Sequence, residues 1–400
     1  MALESSLADR DHLSSLDVWA VEPFYGGSHK YFLDGLSASS AHRITQLTLP
    51  GRNWKWRMHG GAIALAQSAR DLLTSRSGTI RPPDVIFASD MLDLPTFLAV
   101  AGSAVVSVPV VVYFHENQLT YPLPPGTRRD LGYGMKNVAS ALAANSVLFN
   151  SAHHRREFLG AVGDLLESVP DEAPHWVVPA LEGKSKVLPL GCDLRRLDEL
   201  RDRGLADAAS GRWGDPGGGP LVLWNQRWEY DKAPAELFAA LVGLKREGVA
   251  FRLAVAGSNH GTPMPEFDRA KEQLGDRVVQ WGRLPAYEDY TSLLWASDVV
   301  ASTAIHEFFG VAVVEAVYCG CRPVLPARLS YPEIIPAEAH EDILYGEGEL
   351  AAALGSALAR PRAWSEDWQR TWVARYDWAG LHTRYDEEMR RCWRTKWEGL

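Results

Sequence analysis

Cysteine is scarce in this chain: four in 400 residues, Cys192, Cys319, Cys321 and Cys392. Their spacing suits no metal-binding pattern, and they are too few for a disulfide framework, so reduced thiols are expected. No apolar run approaches the roughly 18 residues that a membrane-spanning helix needs. The first 16 residues are polar, carry acids and lack the apolar core of a secretory signal, so a cytoplasmic protein is expected. An excess of positive charge is missing as well. With 41 Lys and Arg against 50 Asp and Glu the net charge is −9, so any nucleic-acid ligand has to meet a local basic face. The single D-x-D triplet, Asp9–Asp11, falls in the polar lead-in, and no catalytic metal site is read there.

What is present is ordinary globular composition, 46% hydrophobic and 23% charged, over a length that suits two domains of about 150 to 200 residues. Short apolar, β-branched stretches recur between helical patterns: LDVWAVEPF, HRITQLTLP, DVIFASD, VPVVVYFHEN, SVLFNS and SKVLPLG. Strands alternating with helices imply βαβ units and a parallel sheet. SGRWGDPGGGP (210–220) is the stretch richest in Gly and Pro and reads as a linker. A second series follows, with PLVLWNQRW, FRLAVAGS, VVQWGRLP, DVVASTAI and RPVLP as its main strands. The chain is therefore α/β, with a first Rossmann-like domain over 17–200, completed by a helical tail over 378–400, and a second over 218–377. Toward the C-terminus, ahead of residue 378, Trp364, Trp368 and Trp372 recur every fourth residue, a stripe that reads as packing the tail onto the body.

Open parallel sheets bind ligands beyond the carboxyl ends of their strands. At one such place STAIHEFFGVAVVEAVYCGCRPVLP (302–326) keeps two carboxylates, Glu307 and Glu315, in an otherwise buried-looking segment. If a helix starts near Phe309–Gly310, its free amides suit an anion, Glu307 precedes that anion, and Glu315 lies about one and a half turns on. The spacing alone is equally compatible with a partial cap and an edge residue. At a second place, WNQRWEYDKAP (224–234), Arg227 and Lys232 follow a strand and precede a helix, where two cations can neutralise a diphosphate or simply pair with Glu229 and Asp231. Together the two segments form a specific ordered pattern, R-x4-K then E-x7-E.

That pattern resembles the donor domain of retaining, family-4-type glycosyltransferases of the GT-B fold. The resemblance implies two facing Rossmann-like domains with a cleft between them and a tail packing back. It places Arg227 and Lys232 on a donor diphosphate, Glu307 on the donor sugar, Glu315 on the ribose, and the amides of Phe309, Gly310 and Val311 on the phosphate and sugar. The first half carries EPFYGGSHKYFLDGL, LTLPGRNWKWRMHGGAIALAQ, VIFASDMLDLPTF, YFHENQLTYP and DLGYGMKNVASALAANSVLFNS. With QRWEYDKAP and YPEIIPAE, these motifs are similar to one subfamily, the tRNA-queuosine mannosyltransferases, from about Val18 to Trp378. Membership implies GDP-mannose as donor, queuosine-containing tRNA-Asp as acceptor, a retained α configuration, and no metal or other cofactor. It also implies that Gly26 and Gly27 pass close to the donor and that His115 lies over its sugar.

The acceptor side has its own signal. From Gly35 to Arg70 there is no acidic residue, while Arg43, Arg52, Lys55, Arg57 and Arg70 are all basic. Bases interleaved with Trp54 and Trp56 suit phosphates and stacked nucleobases; they equally suit a tryptophan-anchored surface loop. Asn117, Arg128, Arg129 and Tyr133 extend the candidate acceptor set. Two other readings stay open on sequence: a glycosyltransferase with a lipid, glycan or small-molecule acceptor, and a nucleotide-sugar epimerase.

Overall fold

The computed structural model describes residues 15–74, 81–123, 126–204, 212–213, 218–259, 264–361 and 363–398. Asp9 and Asp11 and most of the 210–220 stretch lie outside these residues. The chain divides into two compact units, Met1–Gly191 with Trp378–Leu400, and Cys192–Asp377.

The first unit is built on six parallel strands in the order β2-β1-β3-β4-β5-β6. They are β1 (Asp17–Tyr25), β2 (Arg43–Pro50), β3 (Val85–Ser89), β4 (Val110–Phe114), β5 (Ser146–Phe149) and β6 (Ser185–Val187). Every residue of β3, β4 and β5 is buried, as expected where helices cover both faces of a parallel sheet. That burial is why their sequences run mostly apolar, as VIFAS, VVVYF and SVLF, instead of alternating.

The helix Trp378–Glu398 closes this unit. Trp378 sits where a side chain on Gly35 or Gly191 would overlap it, with a Cβ placed 2.0 or 2.3 Å from its indole. Only glycine allows that approach. Tyr385 packs edge-on or tilted among Phe32, Phe87 and Tyr113 and donates to the Pro189 carbonyl at 2.7 Å. Glu388 ties the helix to the sheet by accepting from Ser146 Oγ at 2.5 Å and Lys186 Nζ at 2.7 Å, and accepts also from Arg391 Nη2 of its own helix at 2.6 Å.

The second unit repeats the plan with the order β12-β11-β10-β7-β8-β9. These are β7 (Leu221–Asn225), β8 (Arg252–Ala256), β9 (Val278–Gly282), β10 (Val299–Ala301), β11 (Arg322–Pro326) and β12 (Leu344–Tyr345). Its core gathers Trp224, Phe238, Phe251 and Phe267 with the aliphatic residues of β7, β8 and β10.

Two features depart from the sequence reading. The division falls at Gly191/Cys192, ahead of residue 200 and of the Gly/Pro-rich stretch, because the helix Leu194–Asp202 belongs to the second unit. Asp198 accepts from Tyr318 Oη at 2.7 Å and pairs with Arg370, while the Leu197 carbonyl accepts from Trp295 Nε1. Trp213, within the expected linker, is buried there and donates to Ser292. The tryptophan stripe also serves this unit. Trp364, Trp368 and Trp372 pack on one another at centroid distances of 4.7 to 6.0 Å around the helix Glu366–Val373.

Candidate active site

In the second unit β7 and β10 are neighbours, with Val222 opposite Val299, so the segments leaving their carboxyl ends emerge side by side. After β7 the chain turns through a short 3-10 segment, Tyr230–Lys232. Ala233 follows at φ 41°, and the helix Pro234–Arg246 starts with proline in its first turn. This tight turn buries Lys232, leaving it 6% exposed. Its ammonium donates to the His306 carbonyl at 2.8 Å and to Glu307 Oε2 at 3.3 Å, and lies 2.9 Å from Asp231 Oδ2. Burial would lower the Lys232 pKa, but Glu307 and Asp231 outweigh it and hold it above the usual lysine value. Arg227 is placed differently. It is half exposed, 3.2 Å from Glu229, and close enough for its charge to oppose that of Lys232.

The loop from Ser302 to Phe309 is fastened to this turn at several points. Ile305 N donates to Asp231 O at 2.8 Å and Thr303 Oγ1 to Lys232 O at 2.7 Å. Ser330 Oγ holds the Glu307 and Phe309 carbonyls at 3.2 and 3.0 Å. Gly310 then takes φ 99° and caps the helix Val311–Tyr318 without any side-chain hydrogen bond to that end. A Cβ there would lie 3.3 Å from Ile334 in a backbone conformation that disfavours it. The first amides of that helix have no intrahelical partners and, with the dipole, favour an anion.

Glu315 lies one turn into this helix and is buried. Tyr290 Oη donates to its Oε2 at 2.9 Å, and Asn225 Nδ2 donates to both Tyr290 Oη and the Ala312 carbonyl. Burial first, and the Glu315 charge second, push the Tyr290 hydroxyl well above its usual pKa. Asn225 and Tyr290 went unassigned in the sequence reading. Tyr290 belongs to the helix Tyr287–Ala296, a segment whose start reads as loop, and only contact with Glu315 reveals its role.

In the first unit Gly26 and Gly27 lead from β1 into the helix Gly27–Ser39, Gly27 at φ 54°. Gly26 packs so close to Gly51 that a Cβ on either would lie about 3 Å or less from the other's backbone. His115 stands just beyond β4, 8% exposed, its amide donating to Asp90 Oδ1 at 2.9 Å. Beside it His29 donates Nδ1–H to Glu22 at 2.9 Å. Among the described residues Glu22, His29 and His115 are the one trio whose donor atoms converge as a cation's ligands would, within 4.8 Å. Two of the three already share a direct hydrogen bond, so the geometry present is an ion pair beside a third ring.

The two acceptor clusters meet. Trp54 packs on Tyr133 at 5.1 Å and His59 on Tyr133 at 5.0 Å, so the helices Trp54–Thr74 and Leu131–Ala143 form one face. On it Arg52, Trp54, Lys55, Trp56 and Arg128 are exposed, Trp56 by 63%, with Arg57 partly so. Three candidates are engaged within the protein itself. Asn117 is fully buried and accepts from the Leu119 and Thr120 amides, both at 3.0 Å, as an Asx turn. Arg129 donates to the Gln118 and Tyr121 carbonyls, both at 2.8 Å, bracing the loop they occupy. Tyr133 is buried as the platform beneath Trp54.

Comparison with known proteins meets this geometry. Residues 17–192 match the family described as tRNA-queuosine alpha-mannosyltransferase N-terminal, and residues 207–360 match glycosyl transferases group 1. The chain is 35% identical over 321 residues to the tRNA-queuosine alpha-mannosyltransferase of Drosophila melanogaster, covering 80% of this chain and 81% of that protein. It is 27% identical over 177 residues to a GDP-mannose:cellobiosyl-diphosphopolyprenol alpha-mannosyltransferase of Xanthomonas oryzae, 42% of this chain and 46% of that one. Among solved structures, sucrose-phosphate synthase of Thermosynechococcus elongatus aligns with a TM-score of 0.68 at 17% identity, over 95% of this chain and all of that one. The catalytic domain of starch synthase IV of Arabidopsis thaliana aligns with a TM-score of 0.67 at 14% identity, over 95% and 100%. These structural likenesses carry the fold.

Proposed function

Since the chain belongs to the tRNA-queuosine alpha-mannosyltransferase family, a family of glycosyltransferases, we propose that it moves mannose from GDP-mannose to a cyclopentene hydroxyl of queuosine in the anticodon loop of tRNA-Asp, in the cytoplasm. The observation that carries the donor half is Lys232, a buried ammonium held between Glu307 and Asp231 at the carboxyl end of β7. A cation kept charged there, with Arg227 beside it and the uncapped helix start at Gly310, meets the departing diphosphate as its charge develops. Glu307, fixed by Lys232, positions the sugar. Glu315, fixed by Tyr290, takes the ribose hydroxyls. Phe309, Gly310 and Val311 offer backbone amides to the phosphate and sugar.

The acceptor oxygen forms its bond to the sugar's anomeric carbon as the carbon–phosphate oxygen bond breaks, and a donor phosphate oxygen takes the acceptor proton. Attack on the same face keeps the α configuration, so no carboxylate nucleophile is assigned and Glu307 is not one. In this reading the diphosphate is neutralised by side chains and helix amides, and neither metal nor other cofactor has a part. In the first unit His115 lies over the sugar, Gly26 and Gly27 let the donor approach, and the exposed Trp54 and Trp56 with Arg52, Lys55, Arg57 and Arg128 receive the anticodon loop by stacking and phosphate contact. Among the described residues no helix is long and apolar enough to cross a membrane.

The test combines purified protein, GDP-mannose and tRNA-Asp with and without queuosine, in EDTA, followed by digestion and mass spectrometry of the nucleosides. Hexose added only to queuosine supports donor, acceptor and metal independence together. Tight GDP-mannose binding without transfer to tRNA, but with transfer to a polyprenol-linked glycan, replaces the acceptor.

A further inference from the structure

β1 is buried almost throughout, yet it carries a carboxylate, Glu22, 4% exposed. Its two oxygens have separate partners. Oε1 accepts from the Phe24 amide at 2.7 Å, where the strand runs on toward Gly26 and Gly27. Oε2 accepts from His29 Nδ1 at 2.9 Å. His29 lies in the first turn of the helix Gly27–Ser39, its ring 4.1 Å from that of His115 and tilted by 39°. Phe24 closes on His29 edge-on at 5.8 Å, and Phe32 and Tyr113 pack against His115 at 4.9 and 4.8 Å. The transfer chemistry as proposed makes no use of Glu22 or His29, and a buried charge at either is costly unless it is paired.

The geometry points to Glu22 and His29 as positioning residues for His115: together they form a buried ion pair whose imidazolium ring seats the His115 ring, orients it and keeps it uncharged. The inference rests on the reading that His115 meets the donor sugar. Two imidazolium ions with ring centroids 4.1 Å apart repel strongly away from bulk water, so the proton goes to one ring only. The surroundings select His29. Burial alone would push it down, but Glu22 on β1, Asp90 after β3 and Glu116 beyond β4 hold it up at about 9. His115 is held well below the usual histidine value by burial and then by the neighbouring rings of His29 and of His154, on the helix Ala152–Glu167. Asp90, pushed up to about 8 chiefly by burial, lends that support only once it ionises, so near pH 7 the carboxylate that faces His29 is Glu22. A neutral imidazole offers a lone pair as well as an N–H, so His115 is able both to accept from and to donate to a sugar hydroxyl throughout the neutral range.

The experiment follows histidine ring resonances by NMR against pH in wild type, Glu22→Gln and His29→Gln, with His115→Asn to assign the His115 signal. The amide introduced by Glu22→Gln keeps the oxygen that Phe24 needs and removes only the charge, so it is the variant surest to fold. In wild type one ring is expected to titrate at about 9 while His115 stays neutral. Glu22→Gln should lower the first midpoint by about two pH units, and His29→Gln should raise that of His115 by about one. The His29→Gln rate should then fall below that of wild type on the acid side, as pH drops through the raised His115 midpoint, and recover toward pH 8, with the donor KM little changed. A wild-type His29 that titrates at the ordinary histidine value overturns the proposal, as does an unmoved His115 midpoint in His29→Gln. A stoichiometric metal ion removable by EDTA also overturns it, since the three side chains would then be its ligands. If the midpoints move as expected while no hexose reaches tRNA, the acceptor assignment falls and the positioning pair stands.

Discussion

Arg227 and Lys232 are assigned the same task on the donor diphosphate, yet the structure gives them opposite costs of removal. Lys232→Met deletes an ammonium that is 6% exposed and lies within 3.3 Å of Glu307, Asp231 and the His306 carbonyl. Breaking a buried pair from one side costs about 3–5 kcal/mol, because the abandoned Asp231 carboxylate stays buried and that of Glu307 partly so. Arg227→Ala removes a half-exposed guanidinium paired with Glu229, a change worth under about 1 kcal/mol. Catalytically both remove one cation from the leaving group, a loss of about 10²–10³ in rate by analogy with deletion of one preorganised donor. Urea unfolding followed by tryptophan fluorescence, which Trp224, Trp228 and Trp281 report from the second unit, gives the first quantity. Transfer rate against GDP-mannose concentration gives the second. The expectation is two slow enzymes, of which only the Lys232 variant is strongly destabilised. A Lys232→Met protein of wild-type stability would refute the buried-pair account, and unchanged donor kinetics in either folded variant would refute the diphosphate assignment.

Glu307→Ala should abolish measurable transfer while the circular dichroism spectrum stays that of wild type, and wild-type activity in that variant would remove Glu307 from the donor site. Trp56→Ala should leave the unfolding free energy within about 0.5 kcal/mol of wild type and weaken tRNA binding about tenfold, the value of one stacked base; equal tRNA affinity discards the stacking assignment. Glu388 would be raised by burial, but its bonds from Arg391, Lys186 and Ser146 draw it down to about 2. Its stabilisation is therefore present above the ordinary glutamate pKa and is lost as pH falls toward 2. Glu388→Gln should cost about 2 kcal/mol at pH 7, with the two stability curves closing in acid; a gap independent of pH would mean the loss is not electrostatic.

The strands with the strongest β-branched runs, β4 above all and then β3, were legible because burial on both faces leaves no alternation to misread. R-x4-K and E-x7-E were legible because β7 and β10 prove to be sheet neighbours, which brings two distant segments to one place. What the sequence hides is direction. Asn117 and Arg129 look like surface polar groups, but their hydrogen bonds to nearby backbone turn them inward. Tyr290 gives no signal, since its importance lies in one contact with Glu315. The helix Leu194–Asp202 follows β6 directly, and only Asp198 and Leu197, through their partners in the second unit, decide where it belongs.

The helix from Trp378 completes the first unit, but the whole of the second unit, Cys192–Asp377, precedes it in the chain. The crossings are adjacent: Cys192 N donates to Tyr376 O at 2.7 Å, and Cys192 bridges Asp377. On a ribosome making about 5–20 residues per second, the first unit therefore waits about ten to forty seconds before its last helix emerges. During that interval Phe32, Phe87 and Tyr113 lack the partner that Tyr385 supplies. A chain stopped near residue 377 would keep the second unit's sequence intact and still present a sticky, unfinished first unit. Synthesis of this protein thus carries its own window for chaperone capture, and nonsense changes close to the C-terminus should act as loss of soluble protein well before they act as loss of chemistry.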